Sequence, residues 1–143
     1  MQFLYFVWFL CLENLCFIII FMSLYQDLIL DHYRNPRNQG VLKAPTHLAA
    51  ANNPTCGDRL EMQLSVKNGI IADVKFSGSG CAISQASASL LSEFVKGKTI
   101  AEASALDTGG LLALLGVSLS PNRLKCALLS LETFSKAVNS KQE

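Results

Sequence analysis

The sequence has almost no excess charge of either sign: twelve Lys and Arg stand against eleven Asp and Glu, a net of +1 at pH 7. A nucleic-acid binder needs a basic surplus to displace counterions from phosphate, so that class is excluded. A closed disulfide framework is missing as well. Of the five cysteines, Cys11 and Cys16 fall in an apolar N-terminal stretch, which leaves Cys56, Cys81 and Cys126, an odd number that points to metal ligation or thiol chemistry. The N-terminal stretch itself lacks the basic flank and the small-residue cleavage site of a secretory signal.

What is present suits one domain with a real core, since half of the 143 residues are hydrophobic. Residues 1–21 are compositionally foreign to the rest, carrying five of the eight Phe, the only Trp and one charge, Glu13. Two expectations cover them. The favoured one is a misplaced start codon, with Met22 beginning the protein and Ser23 and Gln26 forming a capping box. The other is a signal anchor, because about 20 apolar residues cross a bilayer, and Arg34, Arg37 and Lys43 would then keep the domain on the cytoplasmic side. Only that second reading gives the protein a membrane partner, and both place the domain in the reducing cytoplasm.

Leu24 to Tyr33 reads as a short amphipathic helix, apolar at positions 24, 25, 28, 29 and 33 and stopped by Asn35-Pro36. His32 is read as part of its solvated end and His47 as a loop residue, with Thr46 to Ala51 as an edge strand. From Arg59 the apolar residues alternate: Leu60, Met62, Leu64 and Val66, then, past Asn68-Gly69, Ile70, Ala72, Val74 and Phe76. That period of two marks a hairpin with one buried face. A three-residue loop, Lys67-Asn68-Gly69, is expected, pairing Val66 with Ile70 and Leu60 with Phe76 so that the apolar faces unite.

Helices follow. Ile83 to Lys96 has an apolar stripe of Ile83, Ala86, Leu90 and Phe94, and Thr99 to Leu106 and Gly110 to Leu115 read as shorter helices. The last helix starts at Ser120-Pro121 and carries Leu124, Ala127, Leu128, Leu131, Phe134 and Val138 as its stripe. Cys81 and Cys126 both fall off these stripes. Neither is therefore expected to be a core filler.

The chemistry centres on Asn53-Pro54-Thr55-Cys56-Gly57-Asp58, where a glycine lets the backbone fold so that a thiol and a carboxylate two residues apart face one point. The hairpin brings Cys56 and Asp58, just before its first strand, to the end where Cys81 follows its second. The Ser77-Gly78-Ser79-Gly80 run is expected to supply the flexibility for that approach. Three thiols and one carboxylate suit tetrahedral zinc, or iron with sulfide.

Four blocks in order carry a family resemblance: Asp31-His32-Tyr33-Arg34-Asn35-Pro36-Arg37-Asn38, the Cys56 stretch, Gly80-Cys81-Ala82-Ile83-Ser84, and Arg123-Leu124-Lys125-Cys126. Together they resemble the iron–sulfur assembly proteins of the SufU, IscU and NifU N-terminal family, over about Leu24 to Val138. The resemblance implies an α+β fold of the SufE/NifU type, a small antiparallel sheet of about three strands packed against helices, with residues 22–143 as the assembly domain. Asn-Pro-Thr before Cys56, Ile83-Ser84 after Cys81 and Lys125 before Cys126 are similar to SufU. The IscU branch usually has a histidine at the position of Lys125 and a Leu-Pro-Pro-Val-Lys segment before it, which Ser118-Leu119-Ser120-Pro121-Asn122 does not match. SufU proteins, for their part, typically carry an insertion between the second and third cysteines. Only 44 residues separate Cys81 from Cys126 here.

The SufU likeness implies that Cys56, Asp58, Cys81 and Cys126 bind zinc. It also implies that Cys56, released from the metal when a SufS-like cysteine desulfurase docks, accepts persulfide sulfur for a downstream iron–sulfur scaffold or apo-protein. Such a protein is a sulfur-transferase-like accessory that stimulates the desulfurase. Arg123 and Lys125 are expected to place positive charge beside the thiolates, the other reading being solvated helix charges. The alternative implied function is a scaffold on which the same four residues hold a transient [2Fe–2S] cluster. A purely structural zinc site is the third, less favoured because such sites prefer closed Cys and His sets.

Overall fold

The computed structural model describes residue 20 and residues 23–140. Except for Ile20, the expectations about residues 1–21 lie outside the described residues. Ser23 is already helical, as is Ile20, so Ser23 does not act as an N-cap, a role that requires non-helical backbone. Helix α1 occupies residues 23–34 among the described residues. Three strands follow, β1 (His47–Asn53), β2 (Asp58–Lys67) and β3 (Ile70–Ser79), then α2 (Ala82–Val95), α3 (Ile100–Ser104), α4 (Thr108–Leu115) and α5 (Pro121–Asn139). The strands form one antiparallel sheet in the order β1-β2-β3. This is the expected α+β architecture.

The β2–β3 hairpin corrects the expected register. Asn68 and Gly69 have φ of 54° and 76°, so the connection is a two-residue turn of left-handed residues, whose twist matches that of the strands. Lys67 therefore opposes Ile70 and Val66 opposes Ile71, and a bulge then restores the phase, so that Met62 faces Phe76 and Leu60 faces Gly78. Ile71 turns inward while Ile70 and Ala72 turn outward. The apolar faces still unite, because the bulge supplies the odd residue that a three-residue loop would have supplied.

β3 also runs to Ser79, so most of the Ser-Gly run is strand rather than flexible tether. Gly78 lies so close to the Arg59 backbone that a Cβ there would collide with it. The free edge of β3 is covered by residues 38–40, with Phe76 donating its N–H to Asn38 O and accepting from Gly40 N.

The core fills the space between this sheet and two helices. Leu60, Met62, Leu64, Ile71, Val74 and Phe76 pack on Ala88, Leu91 and Val95 of α2 and on Leu129, Phe134 and Ala137 of α5. The buried faces coincide with the apolar stripes only in part: Ala86, Ala127 and Phe134 of the stripes are buried, and their other members are half-buried. On α2, Leu90 and Phe94 are half-buried whereas Leu91 and Val95 are fully buried, and the inner faces of both helices include serine and threonine. These hydroxyls satisfy one another or the backbone: Ser87 Oγ lies 2.7 Å from Ser130 Oγ, and Thr133 Oγ1 donates to Leu129 O.

Helix α1 packs on the α2–α4 side through Ile29, part of a second cluster with Ala86, Leu115 and Ala127. His32 continues that inward face and is only 3% exposed, with Nδ1 2.7 Å from Ser89 Oγ. The solvated reading of His32 is therefore corrected. Counted as 25, 28, 29 and 32, the helical period would have placed it inside. His47, at 6% exposure, is the buried first residue of β1 rather than a loop residue.

Candidate metal centre

The site lies at one end of the sheet, where three connections meet. β1 and β2 form a hairpin in which Asn53 faces Asp58, and residues 54–57 between them present Cys56 to solvent. Gly57 takes φ of 70°, the left-handed conformation that closes this turn. β3 ends beside the same point and passes through Gly80 into α2, with Cys81 as the N-cap residue. α5 brings Cys126 in from the opposite wall.

The sulfur of Cys126 lies 3.2 Å from that of Cys56. Ligand atoms of Cys56, Asp58 and Cys126 all lie within 4.8 Å of one another, an arrangement able to hold a metal ion. Cys81 stands beside this triad. Its backbone N–H donates to Asp58 Oδ1 at 3.0 Å and its thiol to Asp58 Oδ2 at 3.7 Å.

Exposure divides the set. Cys56 and Cys81 are exposed, whereas Asp58 is 2% and Cys126 4% exposed. The expectation that Cys126 stands off the core is corrected, because α5 is buried on a face centred on Cys126, Leu129, Ser130 and Thr133 rather than on Leu124, Leu128 and Leu131, which are half-buried. Burial pushes the Cys126 thiol well above its usual range, and the neighbouring Cys56, Asp58 and Cys81 push it the same way. A thiol so placed gives up its proton most readily to a cation that takes the proton's place.

A cavity of about 440 Å³ opens over the site, lined by Cys56, Asp58, Cys81 and Cys126 together with Gly80, Ile83 and Arg123 among others. Arg123 thus shares the cavity with the thiols. Lys125 lines a neighbouring cavity of about 370 Å³ on the far side of the Cys56 turn, with Asn53, Pro54 and Leu128. Sequence reasoning read Gly80 as part of a flexible run and Asn53 as part of the Cys56 stretch, and gave neither a contact of its own in the site. Gly80 packs so tightly on Asp58 that a Cβ would stand 2.6 Å from its Oδ1.

The family model for the NifU-like N-terminal domain matches residues 24–143. The chain belongs to this family, the iron–sulfur cluster assembly family that includes SufU and IscU. It is 41% identical to the zinc-dependent sulfurtransferase SufU of Bacillus subtilis, over 81% of this chain and 90% of that protein. It is also 37% identical to the iron–sulfur cluster assembly scaffold protein IscU of Haemophilus influenzae, over 80% of this chain and 92% of that one. Among solved structures it resembles a candidate iron–sulfur cluster assembly scaffold for the SUF system from Fervidobacterium islandicum, with a TM-score of 0.69 and 30% identity over 78% of this chain and 93% of that one. No helix among the described residues is long and apolar enough to cross a membrane.

Proposed function

We propose that, within iron–sulfur cluster assembly, this chain is a zinc-dependent sulfur-transfer protein whose Cys56 accepts persulfide sulfur from a cysteine desulfurase in the cytoplasm. The contrast among the three thiols carries this reading. Cys126 is buried in α5 and Cys81 is tied to Asp58 through both its amide and its thiol, while Cys56 stands exposed on a turn. An acceptor thiol must meet a partner's sulfur; Cys81 is exposed as well but is tied to Asp58, so the reading rests on Cys56, which is exposed with no bond to that carboxylate. Lys125, where the IscU branch usually has histidine, and the B. subtilis relative support the same side.

The donor set fits zinc. Ligands at roughly 2.0–2.3 Å from a tetrahedral ion stand about 3.3–3.8 Å from one another. The 3.2 Å between Cys56 and Cys126 is close to that spacing, and Cys81, 3.7 Å from Asp58 but outside the triad whose ligand atoms are mutually within 4.8 Å, would have to move its thiol to complete the set. Zinc held by Cys56, Asp58, Cys81 and Cys126 would keep the thiols ionised at neutral pH and shield them from stray oxidation.

In the transfer step the Cys56 thiolate attacks the outer sulfur of the donor persulfide. A new S–S bond forms, the donor's S–S bond breaks, and the donor cysteine leaves as thiolate, so no oxidant or reductant is consumed. Arg123, lining the cavity, offers a positive charge to the anionic sulfur, and the sulfur then passes to a downstream scaffold or apo-protein.

The test combines the metal content of the purified full chain with its effect on a cognate desulfurase. We expect one zinc per chain, faster desulfurase turnover, and loss of that stimulation in Cys56→Ala. A visible-absorbing cluster on reconstitution, with no stimulation by the zinc form, would overturn sulfur transfer in favour of a [2Fe–2S] scaffold, a reading that the breadth of the cavity favours.

A further inference from the structure

We propose that Asn53 is a positioning residue, a latch that holds the Cys56 turn closed over the site. Both backbone amides flanking Cys56 are tied to this one residue. Gly57 donates its N–H to the Asn53 carbonyl at 2.8 Å, and Thr55 donates its N–H to the Asn53 side-chain Oδ1 at 3.1 Å. Among the described residues, the only other hydrogen bond reaching positions 54–57 is the thiol contact between Cys126 and Cys56. The turn has a cavity on either side, one over the thiols and one against α5.

The same side chain makes the latch releasable. Asn53 is 8% exposed, and its Nδ2 is buried without a hydrogen-bond partner. A buried donor with no acceptor destabilises the state that buries it, and opening of the turn would give that N–H to water. Oδ1 thus favours the closed turn while Nδ2 opposes it. The balance suits a residue that must keep Cys56 on the site at rest and let it reach a partner. That last use rests on the sulfur-transfer reading, whereas the latch itself does not.

The experiment measures alkylation of each cysteine by iodoacetamide, read by mass spectrometry, on the full chain with and without zinc. Asn53→Ala removes the tie to Thr55 together with the opposing Nδ2, and should speed Cys56 alkylation in the zinc form by up to about fivefold, the worth of one ordinary hydrogen bond, with Cys81 and Cys126 unchanged. Asn53→Ser keeps an oxygen acceptor and loses the unpaired Nδ2, and should bring the rate to that of the wild type or below. Thr55→Ala keeps the donating amide and should change nothing. Equal acceleration at all three cysteines, or none at Cys56, would overturn the latch. If the purified chain carries a cluster instead of zinc, the sulfur-transfer reading fails. The selective effect at Cys56, then measured on the metal-free chain, still decides the latch.

Discussion

Asp58 Oδ1 accepts the backbone N–H of Cys81 at 3.0 Å, which joins the start of β2 to the start of α2. The carboxylate therefore sits at a helix N-terminus, where the macrodipole favours negative charge. One of its oxygens is fixed by the fold, and the other faces the Cys81 thiol at 3.7 Å. A short acidic side chain at this position thus has a structural role and, under the proposed zinc reading, a ligand role as well.

That arrangement makes Gly80 critical. A methyl group there would stand 2.5 Å from Ser84 Oγ and 2.6 Å from Asp58 Oδ1. Gly80→Ala should displace the carboxylate and weaken zinc binding roughly tenfold to a hundredfold, as loss of a group that orients a metal ligand does. Competition with a chromophoric chelator measures it. Unchanged affinity would show that Asp58 does not depend on this contact.

The inner face of α2 is testable by a neighbouring pair. Leu91 is fully buried between sheet and helices, whereas Leu90 is half-buried against the second cluster. Leu91→Ala should cost about 2–5 kcal/mol of stability, and Leu90→Ala clearly less, by urea denaturation. The apolar stripe read from the sequence predicts the reverse order.

His32 should make stability depend on pH. Burial holds its pKa below the ordinary 6.5, and Arg37 adds to the effect. Below that pH the unfolded chain binds more protons at His32 than the folded chain does. The stability that neutral His32 contributes is therefore fully present above the unfolded value of 6.5 and is lost as pH falls below it. In the metal-free chain, His32→Gln should flatten the fall in urea midpoint from about pH 7.5 to about pH 5. Parallel curves for the two proteins would refute this.

The β2–β3 turn needs left-handed residues at Asn68 and Gly69. Asn68→Val should destabilise the chain by about 1–2 kcal/mol, because a β-branched side chain is strained there, while Asn68→Gly should be nearly neutral. Thermal melting of the two variants separates these outcomes.

Much of this was legible in the chain itself. Strict alternation from Leu60 to Val66 marked the central strand, and Asn68-Gly69 marked where the chain reverses, though not the two-residue turn it makes there. The order of Cys56, Asp58, Cys81 and Cys126 carried the family. The misread helix faces share a cause. Hydropathy periods count apolar side chains, but α2 and α5 bury Ser87, Ser89, Ser92, Ser130 and Thr133, whose hydroxyls are satisfied by backbone or by one another. A stripe drawn through leucines therefore pointed away from the true inner faces, and with them from the burial of Cys126.

The amino-acid sequence by itself determined the donors, their order and the strands that carry them, because residue type and local period are written along the chain. Tertiary structure decided which thiols are left exposed and which is buried, which hydroxyls and histidines go inside, how a bulge repairs the hairpin phase and which residue accepts the amides of the Cys56 turn. Those outcomes depend on hydrogen bonds and packing between segments far apart in sequence, and no local pattern encodes them.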